Sequence, residues 1–154
     1  MDLSFTAIFK RHSEKKLRDM MALIDRCCAS LNESQIWQRA RPEANSIGNI
    51  LMHLEGNVGQ FIGHCLEGKP DVRQRPLEFS TTGGIEKAAL LAALHERVEQ
   101  ACACFALVSE NALLTPVKTI NGEMTGLEVI YTVVGHFQQH TGQMLHMVKA
   151  TATG

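Results

Sequence analysis

The chain has 154 residues, with 15 Lys+Arg, 16 Asp+Glu and 7 His giving a formal net charge of -1 at pH 7. That balance excludes a surface built for a polyanion, whether duplex nucleic acid or an anionic membrane. The length suits one domain over residues 1–154 with a single core, and a composition of 45% hydrophobic and 5% aromatic residues favours helices over aromatic-rich strands.

No stretch approaches the roughly 18 consecutive apolar residues of a membrane span. Met1-Asp2-Leu3-Ser4 leads into a charged run from Lys10 without the apolar segment of a secretory signal. The expected location is the cytoplasm, whose reducing conditions agree with the cysteines. Cys27, Cys28, Cys65, Cys102 and Cys104 are odd in number and form no C-x-x-C pair, and they lie mostly among apolar residues, as small core side chains rather than disulfide partners.

Leu17, Met20, Met21, Ile24, Cys28 and Leu31 recur at helical spacing, which predicts an amphipathic helix over about 4–31. Pro42 forbids continuation, Asn45-Ser46 supplies N-cap side chains, and Ile47, Ile50, Leu51, Leu54, Val58, Phe61 and Ile62 carry a second helix over about 45–67. Gly68 and Pro70 end it. From Pro70 to Gly84 no period is sustained, so a long ordered loop is expected, of a kind often tied to function. Leu90, Leu91, Leu94, Val98, Cys102, Phe105 and Val108 mark a third helix that ends near Asn111. Asn121-Gly122 after a β-branched run predicts a tight turn, with a short hairpin as one form of it. Thr125-Gly126-Leu127-Glu128 has the S/T-x-x-E form of a capping box and opens a fourth helix over about 125–150. Four such helices make an all-α, antiparallel four-helix bundle with a long loop between helices two and three. Up-down-up-down order and a variant with a crossover fit this pattern equally.

His136 and His140 are four residues apart in the last helix, on one face and about 6 Å apart along its axis, the spacing at which two imidazoles grip one ion. Two ligands make a weak site. The candidate third is His53, set among Leu51, Met52 and Leu54, where an unpartnered imidazole is costly and a divalent ion would remove that cost. A hydrogen-bonded core histidine is the plainer account of such a residue, and H-x-x-x-H arises often by chance. His64 lies near the stripe of His53, at the mouth of a site or as a helix-end cap. His12, His95 and His146 share no face with these three and read as surface or second-layer residues.

The run Asn45-Ser46-Ile47-Gly48-Asn49-Ile50-Leu51-Met52-His53-Leu54-Glu55-Gly56-Asn57, together with His136-x-x-x-His140-x-Gly142-Gln143, resembles the DinB-like (YfiT-like) metal-binding four-helix bundles. The loop Pro70-Asp71-Val72-Arg73-Gln74-Arg75, continuing through Glu78-Phe79, resembles a subfamily of small uncharacterised bacterial proteins among them. The resemblance spans about residues 43–150. It implies a divalent metal ion, zinc or nickel, held by His53, His136 and His140. Some members of that family are thiol S-transferases or isomerases that use bacillithiol or mycothiol. For this chain the resemblance therefore implies a metal-dependent transferase that acts on a small molecule through a low-molecular-weight thiol. It also makes a homodimer reasonable. The alternatives are a metal-dependent hydrolase that activates water and a non-catalytic metal-binding stress-response protein.

Three neutral imidazoles leave an open coordination position, in which a thiol or a water gives up its proton more readily than when free. Asn49, Glu55, Asn57 and Gln143 lie near the histidines in sequence, either to orient imidazole N–H groups or as solvated and inter-helix polar residues. Gly142 costs roughly 1 kcal/mol relative to alanine inside a helix, which close helix approach or access to the metal would explain. Arg73 and Arg75 are candidates to meet an anionic substrate group. Trp37 and Phe79 are candidates to cover the site or a dimer contact.

Overall fold

The structure, a computed structural model, describes residues 4–152. Met1, Asp2 and Leu3, read above as the start of a chain without a secretory signal, lie outside the described residues, as do positions 153 and 154.

Helix α1 (Phe5–Ala29) starts where the Ser4 hydroxyl accepts the N–H of Ala7 at 3.2 Å, and it buries Leu17, Met20, Met21, Ile24 and Cys28. A short α2 (Glu33–Trp37) opens on a capping box between Asn32 and Gln35. Helix α3 (Ile47–Val58) opens on another: Ser46 Oγ accepts from the Asn49 N–H at 3.1 Å and Asn49 Oδ1 accepts from the Ser46 N–H at 3.0 Å. It continues unbroken into a π-helical segment, Gly59–Leu66, whose wider turns are a local feature often found near functional sites. Then come α4 (Arg75–Ser80), α5 (Lys87–Leu107), α6 (Glu110–Leu114), strands β1 (Pro116–Thr119) and β2 (Gly122–Thr125), and α7 (Gly126–Ala152).

The boundaries expected for the four long helices hold to within a few residues. The hairpin is present, with Thr119 paired to Gly122 and Val117 to Met124. Gly122 takes φ of 101°, which a residue with a Cβ would resist. At the start of α7 the capping box is complete: Glu128 accepts from the Thr125 N–H at 2.7 Å and its own N–H reaches Thr125 Oγ1.

Side-chain bonds between helices give their directions. Lys10 Nζ donates to the Val108 carbonyl at 2.7 Å and Lys87 Nζ to the Leu31 carbonyl at 2.6 Å, so α1 and α5 are antiparallel. Trp37, which lies over Gly48 at the start of α3, donates its indole N–H to the Ile85 carbonyl at the approach to α5. Glu55 pairs with Arg97 further along both helices, so α3 and α5 are parallel. The hairpin packs on the far end of the α3 π-segment and feeds α7, which runs back antiparallel to α3. The helices stand in the order α1, α5, α3, α7 around the core, each touching its two neighbours. Of the two orders the sequence left open, the structure has the one with a crossover. Parallel α3 and α5 oblige residues 67–86 to travel the length of the bundle, and that path carries α4 past His53.

Leu17, Ile24, Leu54, Leu94, Phe105, Val129, Ile130, Val133 and Phe137 are fully buried and form the middle of the core. Among the described residues no helix is long and apolar enough to cross a membrane. All five cysteines are free thiols, four of them buried. Burial pushes the thiols of Cys28, Cys102 and Cys104 from 9.0 up to about 11. The folded chain thus holds these protons more tightly than the unfolded chain does. Their contribution to stability is complete below pH 9, declines as pH rises from 9 through 11, and is gone above that range. Two results are expected: an aromatic disulfide reagent at pH 7.5 labels the native protein far more slowly than the urea-unfolded protein, and the urea midpoint falls between pH 9 and pH 11. Stoichiometric labelling within seconds in native buffer would contradict the burial.

Candidate metal centre

Helices α3 and α7 bring His53, His136 and His140 together. His53 Nε2 lies 3.0 Å from His136 Nε2, which lies 3.1 Å from His140 Nε2. The three ring centroids are 4.5 to 5.0 Å apart. His53 is 7% exposed, while His136 and His140 are half-buried, so the cluster is reachable from one side. Burial and the neighbouring imidazoles push His136 down to about 4, and burial also lowers His140, so both rings are neutral at pH 7 and offer lone pairs.

The hydrogen bonds at the outer nitrogens decide where those lone pairs point. His53 Nδ1 faces Glu78 Oε2 at 2.7 Å, and His140 Nδ1 faces Gln143 Oε1 at 2.9 Å. Both oxygens only accept, so both Nδ1 atoms carry a proton, and in the neutral form of each ring the lone pair is on Nε2. Arg73 Nη2 also lies 3.2 Å from His53 Nδ1, but it donates to the same Glu78 oxygen, at 2.9 Å. His136 Nε2 therefore meets two bare nitrogens, and its own Nδ1 is buried with no partner. A single proton on His136 Nε2 would leave that Nδ1 an unsatisfied acceptor. A cation among the three Nε2 atoms satisfies all of them at once, which one proton shared between them cannot do, and His136 Nδ1 then carries the ring's proton. The donor set fits a divalent ion: tetrahedral coordination with bonds of 2.0–2.1 Å places nitrogens about 3.3 Å apart, close to the spacing seen.

The crossover supplies much of the surroundings. Glu78, on α4, is 4% exposed. Its Oε1 accepts from Arg73 Nε at 2.6 Å, and Arg73 Nη1 donates to Gln60 Oε1 at 2.9 Å. Burial pulls the Glu78 carboxyl upward, but the bonds from Arg73 and His53 outweigh it and hold the group below the usual carboxylate range. Asn49 Nδ2 ties the segment down through the carbonyls of Glu78 at 2.9 Å and Thr81 at 2.7 Å, and Arg39 Nη2 donates to the Phe79 carbonyl at 2.7 Å. The Phe79 ring lies 5.0 Å from that of His53, and the Arg75 guanidinium lies over the Phe79 ring, 5.2 Å from its centroid.

Several sequence expectations change. Arg73 does not await an anionic group; its side chain is 3% exposed and is spent on Glu78 and Gln60. Of the residues nearest the histidines in sequence, Gln143 touches one. Glu55 pairs with Arg97, Asn49 holds the crossover, and Asn57 is buried without a hydrogen bond to the three rings. His64 caps its helix end through the Lys69 carbonyl, and His95 pairs with Asp25. Trp37 packs on Gly48, away from the imidazoles. A Cβ at Gly142 would meet nothing within 4 Å, so close helix approach does not explain that glycine. Glu78 was missed as a partner of His53. A separate cavity of about 480 Å³ lies between α3, α5 and the crossover, lined by Leu51, Met52, Leu77, Ile85, Leu90 and Arg97, with Glu78 and Arg73 in its wall and none of the three histidines.

Comparison with solved structures places the fold. A conserved protein from Enterococcus faecalis superposes with a TM-score of 0.80 at 14% identity, over 94% of this chain and 97% of that one. The DinB-like protein YjoA from Bacillus subtilis gives 0.69 at 12% identity, over 92% of each chain. A mutant of mycothiol-dependent maleylpyruvate isomerase gives 0.69 at 13% identity, over 88% of this chain and 60% of that one. At these identities the likeness is one of fold, a DinB-like helical bundle. No curated protein matches the sequence. The sequence model of DUF1572, described as a protein of unknown function, matches residues 4–153, and the chain therefore belongs to the DUF1572 family.

Proposed function

We propose that His53, His136 and His140 are the ligands of a divalent metal ion, zinc or nickel, and that the protein is a metal-dependent enzyme that activates a low-molecular-weight thiol for transfer to a small electrophile. The convergence of three Nε2 atoms, two of them held bare by acceptors behind them, carries this reading. The fold shared with a mycothiol-dependent isomerase supports the thiol over water as the activated group. Bound there, a divalent ion with an open position lowers the pKa of a thiol placed in that position. The chain's own part is to keep His136 and His140 neutral and all three rings aimed inward. Glu78 and Gln143 take the outer protons, and burial of His136 and His140 disfavours the imidazolium forms that would expel the ion. We propose further that residues 1–154 form one domain and that the protein works in the cytoplasm as a homodimer.

Elemental mass spectrometry on untagged protein, purified without nickel resin or chelator, tests the centre. About one equivalent of a single divalent metal per chain is expected. No metal, even after reconstitution with zinc, nickel or manganese, would leave the histidines structural and remove the chemical basis for an enzyme. With metal present, consumption of a thiol with a model electrophile separates transfer from hydrolysis of an activated ester, and a loaded protein inactive in both is a binding protein.

A further inference from the structure

Resting on the metal-centre reading, we propose that the crossover between α3 and α5 is part of the metal-holding apparatus, with Glu78 as the positioning residue for His53 and Arg73 as the group that fixes Glu78. His53 sits on α3, yet no described side chain of α3 or α7 bonds its outer nitrogen; that partner arrives from a segment 25 residues further along the chain. Arg73 grips both oxygens of Glu78, at 2.6 Å and 2.9 Å, so the carboxylate cannot swing away while the guanidinium stays. Arg73 is anchored in turn through Gln60 and through its own N–H to Asp71 Oδ1 at 3.1 Å. Asp71 also accepts from Gln60 Nε2 at 2.8 Å. A chain of hydrogen bonds thus runs from the exposed Asp71 to the outer nitrogen of His53, Nδ1.

A glycine makes this approach feasible. A Cβ on Gly56, one helical turn beyond His53, would stand 2.4 Å from Glu78 Oε1 and 3.1 Å from Arg73 Nε. An added methyl group there must push the pair off, without altering any charge. His53 and Gly56 on α3 and Gln60 on the π-helical segment, with Asp71, Arg73 and Glu78 on the crossover, therefore act as one device, which holds the His53 ring with Nδ1–H turned to Glu78 and Nε2 turned to the other two imidazoles.

The test uses zinc alone, titrated against a chromophoric chelator, on the wild type, Glu78→Gln, Gly56→Ala and the control Gly63→Ala, whose nearest neighbour to an added Cβ is Lys69 Cδ at 3.8 Å. Glu78→Gln and Gly56→Ala are expected to weaken zinc binding by roughly 10- to 100-fold, and Gly63→Ala to leave it unchanged. Nitrogen-15 NMR of the metal-free proteins supplies a readout that a purely structural role would not move: His53 is a single Nδ1–H tautomer in the wild type and a mixture in the two affected variants. Wild-type zinc binding with Glu78→Gln within about twofold of it, and the same tautomer in both, overturns the proposal while leaving the metal centre standing. A wild type that binds none of zinc, nickel or manganese overturns the metal centre and the proposal with it. Should Gly56→Ala fail to fold by circular dichroism, Glu78→Gln, which keeps the side chain's shape, decides the question.

Discussion

His53→Ala and His140→Ala are each expected to abolish stoichiometric metal content, while His12→Ala retains it. Three imidazoles converge on one point, and two of them come from a single face of α7, so no other described side chain is placed to replace a lost donor. If the three share equally a binding free energy on the order of 10 kcal/mol, losing one costs about 3 kcal/mol, roughly a hundredfold or more in Kd. Metal analysis after gel filtration reads the outcome, with circular dichroism to confirm that each variant is folded. Equal metal in all three variants would sink the assignment, because His12 has no geometric relation to the cluster.

In metal-free protein, Arg73→Met is expected to lower the unfolding free energy by about 3–5 kcal/mol, measured by urea titration in the presence of chelator. The physical cause is the Glu78 carboxylate, which is 4% exposed and keeps its charge because Arg73 donates to both of its oxygens. Removing the guanidinium strands a buried anion, and that cost is a large share of a total of roughly 5–15 kcal/mol. The double replacement Arg73→Met with Glu78→Gln should recover much of the loss, since a neutral amide needs no counter-charge. A single-variant loss below about 1 kcal/mol would mean that water reaches the carboxylate. Working without metal matters, because bound metal stabilises the folded state by mass action and would mask the difference.

What was legible in the sequence was whatever depends on short spacing. His136 and His140 share a face because four residues make one turn, and the Thr125–Glu128 box closes within a single turn, so both can be read without knowing the fold. His53 was found through its apolar neighbours. The short helices α2, α4 and α6 were not seen, because five or six residues cannot display a 3.6-residue period. The crossover was one of two orders left open, since periodicity fixes which face a helix buries and says nothing of its direction. Arg73 and Glu78 were hidden for a related reason: five residues apart on a stretch without period, they acquire a partner in His53 only when the chain crosses back over Gly56. A glycine one turn after a buried histidine was the one local trace of that crossing.

The final helix carries two of the three imidazoles, and His136 stands 83 residues from the His53 it faces. Bringing together residues of that separation costs the entropy of closing a long loop. A nascent chain that has made α1, α3 and α5 therefore offers one imidazole and an open apolar seam where α7 belongs. It has no means of holding an ion tightly. On the proposed reading, capture of an ion follows the docking of α7, so a loaded centre marks a bundle that has closed.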